Sequence, residues 1–225
     1  MTNHINLFYY FIIKMRLLST LMRFIQTTSL KYKIDESHAV GHSMDVLYYA
    51  HEILQHELLQ HPYLKKQEAV IYTSALVHDM CDSKYMNPQE GITNINDILK
   101  YNLKPFEINA VDKIISTMSY SKVKKEGFPD LGEYQRAYHI VREADLLSAY
   151  DLDRSIIYHM YHSKTDFATS FQNSMELFEH RVSKHEEHGL FVTEYSKTKG
   201  KELYEKSKKQ IAAWKNVMTM YDMHV

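Results

Sequence analysis

Apolar residues recur at helical spacing along nearly the whole chain, and the few Gly and Pro residues fall between those runs. Residues 5–27 read as a helix or helix pair covering the core. Asp35 and Ser37 offer N-cap oxygens for a helix running to about Gln60, with Val46, Ile53 and Leu54 facing inward and Pro62 ending it. Residues 66–79 form the next helix, apolar through Ala69, Val70, Ala75, Leu76 and Val77 and therefore buried. Residues 80–93, with Asn87, Pro88 and Gly91, read as a loop, a place where the rim of a site often lies. Short helices follow at 94–102 and 105–118, the second with Pro105 in its first turn. A second loop covers 119–132, broken by Gly127, Pro129 and Gly132. Helices at 133–150, 152–163 and 166–187 come next. Gly189 interrupts the pattern, and a charged amphipathic helix from about Ser196 closes it.

Composition narrows the fold class. Six Gly and four Pro in 225 residues are too few for a sandwich or barrel rich in tight turns, so the chain is expected to be all-α. Without repeats or linker-like tracts, it reads as one compact helical bundle. Residues 1–34 would be an N-terminal helical extension packing on the core, 35–195 the core, and 196–225 a helix completing the same domain. The single cysteine, Cys81, excludes an intrachain disulfide and fits a reducing, cytoplasmic setting. Leu7–Ile13 is a continuous apolar run, but Lys14 and Arg16 interrupt it well short of the ~20 residues a membrane span needs. Its expected role is packing rather than membrane anchoring. With 27 Lys plus Arg against 28 Asp plus Glu, the net charge is −1, which argues against binding bulk nucleic acid. Oligomeric state is not legible.

The unusual count is 14 His. Three segments combine His or carboxylates with strongly apolar neighbours: Ser37-His38-Ala39-Val40-Gly41-His42, Val77-His78-Asp79 and Glu143-Ala144-Asp145. A carboxylate at the end of a buried helix is costly unless something pairs with it, and a cation shared by His78 and Asp79 removes that cost. His38 and His42, four apart, would share a helix face. Each feature alone is more often an ordinary core histidine or capping aspartate. Three together point to a metal site.

These segments resemble the HD-domain superfamily of metal-dependent phosphohydrolases. "SHAVGHSMDVLYYA" is similar to its first histidine motif, "ALVHDMCD" to its His-Asp element and "VREADLLSAYD" to its late Ala-Asp-Leu motif, over roughly residues 35–195. The resemblance implies an HD-type helical bundle, close to the small single-domain hydrolases acting on nucleotides. It implies His42, His78, Asp79 and Asp145 as ligands of one divalent metal ion, with Mn²⁺, Mg²⁺, Fe²⁺, Co²⁺ or Ni²⁺ suited to two imidazoles and two carboxylates. Metal-bound water would attack a phosphate ester or anhydride of a small nucleotide. Asp82 stands where guanosine-tetraphosphate hydrolases of the superfamily carry a water-activating carboxylate. Lys84 and His38 would hold the phosphate, and Glu143 would hydrogen-bond a ligand histidine. Tyr85 or Tyr120 would stack on a base, whereas Lys122, Lys124 and Lys125 read as a solvated charge run. Relatives with two metals carry further histidines between the His-Asp pair and the last Asp. Thr117 and Met118 stand at those places here, and His139 does not fit, which favours one ion. The clusters His56/His61, His159/His162 and His180/His185/His188 are expected on helix surfaces. A cyclic-nucleotide or oligonucleotide phosphodiesterase and a non-catalytic metal or nucleotide sensor remain the alternatives.

Overall fold

In the computed structural model, which describes the backbone of residues 2–222 and the side chains of 15–219, the centre is a helix with no polar face. This helix, α3 (Glu68–Val77), buries Val70, Ile71, Ala75, Leu76 and Val77 together with Thr73 and Ser74. A helix apolar on every side must be enclosed. It packs against α1 (Thr2–Tyr32), α2 (Val40–Leu58), α5 (Pro105–Thr117) and α7 (Gln135–Ser148). Helices α2 and α7 also pack on one another, so these two and the end of α3 meet in one place. α1 is one continuous helix that sends Leu17, Leu21 and Ile25 into the core. The Leu7–Ile13 run falls outside the described side chains.

The remaining helices are α4 (Pro88–Leu99), α6 (Tyr120–Glu126), α8 (Leu152–His162), α9 (Phe167–His180) and α10 (Glu194–Asp222). Ten α-helices and three short 3-10 turns thus make up the regular structure, with no strand among the described residues. The chain is all-α, and no described helix is long and apolar enough to cross a membrane. Side-chain oxygens start several helices: Asn87 accepts from Gln89 N at α4, Asp151 from Asp153 N at α8, and Asp166 from Thr169 N at α9. Gly189 has φ +63°, which lets the chain turn so that Leu190 N reaches His185 O at 3.0 Å.

Several boundaries differ from the sequence reading. Asp35 and Ser37 do not cap α2, which begins after Ala39; Ser37 N and Oγ instead donate to Asp35 within a turn. α2 ends at Leu58, and Pro62 opens a 3-10 turn that precedes α3. The expected loop 80–93 is shorter, because Asn87 and Pro88 start α4 rather than break the chain. Residues 119–132 contain α6, and α9 stops at His180, ahead of a 3-10 turn at Val182–Lys184. Gly91 lies inside α4 for a packing reason: a Cβ there would stand 2.7 Å from Cys81 Cα and 2.8 Å from Met80 O. Gly91→Ala must therefore push α4 off the turn carrying His78 and Asp79. We expect a loss of ~1–3 kcal/mol by chemical denaturation. A wild-type value would refute this account.

A second, smaller hydrophobic cluster joins α8, α9 and α10. Leu152, Ile156, Phe171 and Met175 are its buried members, with Phe167 and Trp214 packed on them, ring centroids 5.1 Å apart. Ile211 touches both clusters.

Candidate metal centre

The place where α2, α3 and α7 meet holds four donor side chains. His42 projects from the first turn of α2, His78 caps the C-terminus of α3, Asp79 follows in the turn, and Asp145 comes from α7. His42 Nε2 lies 3.0 Å from His78 Nε2, 3.2 Å from Asp79 Oδ2 and 3.5 Å from Asp145 Oδ1. His78 Nε2 is 3.4 Å from Asp79 Oδ2 and 3.7 Å from Asp145 Oδ1. Donors about 2.1 Å from a shared ion stand about 3.0 Å apart at right angles and about 3.4 Å apart at tetrahedral angles. Asp79 Oδ2 is buried and has no hydrogen bond, although two imidazole nitrogens are within 3.4 Å. A buried carboxylate oxygen in that condition suits a cation. On both counts His42, His78 and Asp145 fit one divalent metal ion, with Asp79 Oδ2 against both imidazoles but outside that group of three.

The imidazoles are oriented from outside the cluster. His78 Nδ1 donates to Ala75 O at 2.8 Å, which leaves the Nε2 lone pair facing the centre. A cation at His42 Nε2 needs the ring proton on Nδ1, 3.5 Å from Ser148 Oγ; Arg154 Nη1, now 3.0 Å from that Nδ1, can only donate and must move aside when the ion binds. Burial works against a charged His78, but Asp79 and then Asp145 outweigh it and raise its pKa to about 9. Burial also opposes ionisation of Asp79, yet His78 and His42 hold that carboxyl well below the usual range. Protons and a cation compete for the same lone pairs here.

Asp82, Lys84 and His38 all line the cleft of about 390 Å³ that opens onto this cluster. Asp82 Oδ1 accepts from Lys84 N at 2.8 Å, and its Oδ2 is 3.4 Å from Lys84 Nζ, so the two expected contacts form an ion pair with each other. His38 sits in the turn before α2, not on the helix as the spacing suggested, yet its ring still lies edge-on to that of His42 at 6.0 Å. Ser37 Oγ and Tyr85 OH both donate to Asp35. His38 Nδ1 is therefore the donor to Ser37 Oγ, at 2.7 Å, with Tyr85 OH 3.2 Å away. Burial lowers His38 to about 4 against the pull of Asp79, so its imidazole is neutral at pH 7.

The other expectations fare unevenly. Glu143 touches no ligand histidine: it accepts from Val192 N at 2.8 Å, from Thr193 N at 3.1 Å and from Thr193 Oγ1 at 2.7 Å, and pairs with Arg142 at 3.3 Å. Tyr120 lines the cleft, whereas Tyr85 spends its hydroxyl on Asp35. Lys122, Lys124 and Lys125 lie outside the cleft. His139 is buried between Phe128 and Tyr138, bonded to Gln135 at 3.1 Å and away from the donors. His56 and His180 are exposed, but His159 lines the cleft and His162 Nε2 is 3.2 Å from Tyr85 OH. Arg154, Tyr158 and Arg181 also line the cleft and were not anticipated.

His185 departs furthest from its expected surface position. It is 0% exposed, both ring nitrogens lack a hydrogen bond, and its ring lies among Tyr120, Tyr150 and Phe191. Burial, then the charges of Arg181 and Arg142, push its pKa down to about 3, so it folds neutral. Below pH 6.5 the unfolded chain takes up a proton that the native state refuses, so stability is complete above 6.5 and falls as pH drops toward 3. Between pH 7 and pH 5 this one group should remove ~2 kcal/mol. His185→Leu should therefore show a smaller acid loss in denaturation curves at the two pH values; an unchanged loss would contradict this.

No protein-family profile matches the chain, and no curated protein sequence is similar to it. The crystal structure of a Lactobacillus plantarum structural-genomics protein superposes on it with a TM-score of 0.62 at 17% identity, covering 91% of this chain and 98% of the other. At that identity the likeness concerns the fold.

Proposed function

We propose that this chain is an HD-type metal-dependent phosphohydrolase that cleaves a phosphate ester or anhydride of a small nucleotide. The observation that carries the reading is the convergence of His42, His78 and Asp145, the imidazole nitrogens 3.0 Å apart and both within 3.7 Å of the Asp145 carboxylate, beside the buried, unbonded Oδ2 of Asp79. Those four side chains would hold one divalent cation. When bound, it supplies a Lewis acid for a phosphoryl oxygen and makes water a better nucleophile at neutral pH.

The chain's own residues do the rest. Asp82, beside Asp79 in the cleft, takes the proton of the attacking water. Lys84, now paired with Asp82, supplies positive charge to the substrate phosphate. His38, fixed through Nδ1 by Ser37 and neutral, presents Nε2 as a hydrogen-bond acceptor, suited to a hydroxyl or a water rather than to an unprotonated phosphate oxygen. Asp35, held by Ser37 and Tyr85, keeps this turn in place. One donor cluster of this kind occurs among the described residues, which favours a single ion over the pair that a two-metal phosphodiesterase uses.

The test is metal quantification of the purified chain, joined to a hydrolysis panel of nucleoside mono-, di- and triphosphates with each candidate ion. The expected result is close to one divalent ion per chain and turnover of at least one nucleotide. Orthophosphate or pyrophosphate as product identifies the bond cleaved. Thermal shifts without product would point instead to a binding protein.

A further inference from the structure

The cleft also carries two arginines that the reading above does not employ. Arg154 on α8 and Arg181, just past the end of α9, both line the cleft. Arg154 spends Nη1 on Ser37 O at 3.1 Å and His42 Nδ1 at 3.0 Å, and its other nitrogens bond no described residue. Arg181 makes no side-chain hydrogen bond with the described residues; its guanidinium lies over the Tyr120 ring, 4.3 Å from the centroid. Neither has a carboxylate within ion-pair distance among the described residues. The acids of the cleft are otherwise engaged: Asp79 and Asp145 in the donor cluster, Asp82 with Lys84, and Asp151 with the first backbone N–H groups of α8. Next to Arg181 the wall turns apolar through Leu177, Phe178 and Val182.

A guanidinium held by stacking, with its five N–H donors free, is built to grip a planar or tetrahedral oxyanion. We propose that Arg181 and Arg154 form a second anion subsite, which holds a phosphate other than the one being cleaved. The substrate class is then an organic molecule with two or more phosphates, its apolar portion against Leu177 and Phe178, rather than a monophosphate. Which phosphate is cleaved rests on the phosphohydrolase reading; the subsite itself does not.

The test is isothermal titration of the full chain with inorganic tripolyphosphate and with orthophosphate, in excess chelator so that no metal contributes. Tripolyphosphate is expected to bind at least about tenfold tighter, and Arg181→Gln to lose about tenfold of that affinity while taking up divalent metal as the wild type does. Arg181→Lys keeps the charge but loses the planar fork, and covers the case in which the glutamine variant fails to fold; about a threefold loss is expected there. Equal affinity for the two anions, or wild-type tripolyphosphate binding by a folded Arg181 variant, overturns the subsite. If the subsite binds as expected and no nucleotide is hydrolysed, the phosphohydrolase reading falls and the subsite stands. If nucleotides are hydrolysed with no preference for added phosphates and Arg181→Gln changes nothing, the subsite falls and the hydrolase stands.

Discussion

His78→Ala and Asp79→Ala should each lower divalent-cation affinity by more than ~100-fold and take hydrolysis with it, while helical content stays near that of the wild type. Loss of a group that merely orients a metal ligand typically costs ~10–100-fold, so removing a ligand should exceed that range. The two residues sit beyond the last turn of α3, whose packing rests on Val70, Ile71, Leu76 and Val77 and not on them. The variants also separate charge from donor count. In Asp79→Ala, Asp145 loses a like-charged neighbour; in His78→Ala, the two carboxylates face each other without the imidazole that now lies within 3.7 Å of both. His78→Ala should therefore be the less stable of the two without metal. Metal content by mass spectrometry, circular dichroism and turnover after chelation and metal add-back read these outcomes. Full activity in either variant would end the metal-site reading.

The second large effect lies outside the cleft. Glu143→Ala should destabilise the fold by ~3–5 kcal/mol, the usual consequence of stranding a buried charge. Arg142 is 1% exposed, its Nε and Nη1 already lack hydrogen bonds, and Glu143 is its counter-ion. The same carboxylate receives Val192 N, Thr193 N and Thr193 Oγ1, which tie the start of α10 to α7. Removing it orphans the Val192 and Thr193 N–H groups and leaves the Arg142 guanidinium without its counter-ion, bonded to Leu190 O alone. In a chain of this size the melting point should fall by roughly 10 °C. Glu143→Gln, which keeps an acceptor for Val192 or Thr193, should fall in between. A melting point for Glu143→Ala within 2 °C of wild type would show that Arg142 finds another partner.

Much of the helical order could be read from spacing, because apolar period and Pro placement are local signals. Pro105 opening α5 is an example. The errors arose where one residue type serves two purposes. Pro88 and Gly91 looked like breakers, yet Pro at a first helical position is favourable and Gly91 is small because the backbone of Met80 and Cys81 passes against it. His185 looked like one more polar residue in a charged stretch; only tertiary packing by Tyr120, Tyr150 and Phe191 makes it a core residue. The donor cluster was legible because buried carboxylates beside histidines in apolar helices are rare. The arginine wall was not, since surface arginines are common. One cue was available for Arg181: the positions three and four away on either side, Leu177, Phe178, Lys184 and His185, offer it no acid.

The two hydrophobic clusters give this molecule two separable parts with different tolerances. The donors stand on helices locked into the large core, where any change of volume is transmitted to the ligands. Arg181 lies between Phe178 and Val182, both members of the large core, whereas Arg154 stands on α8, whose small cluster with α9 up to Met175 rests on α10 and shares Ile211 with the rest. Local opening there exposes little apolar surface, so amide exchange in α8 and α9 should run faster than in α3. Natural drift can remodel the α8 side of the cleft while the donor cluster on the large core stays fixed.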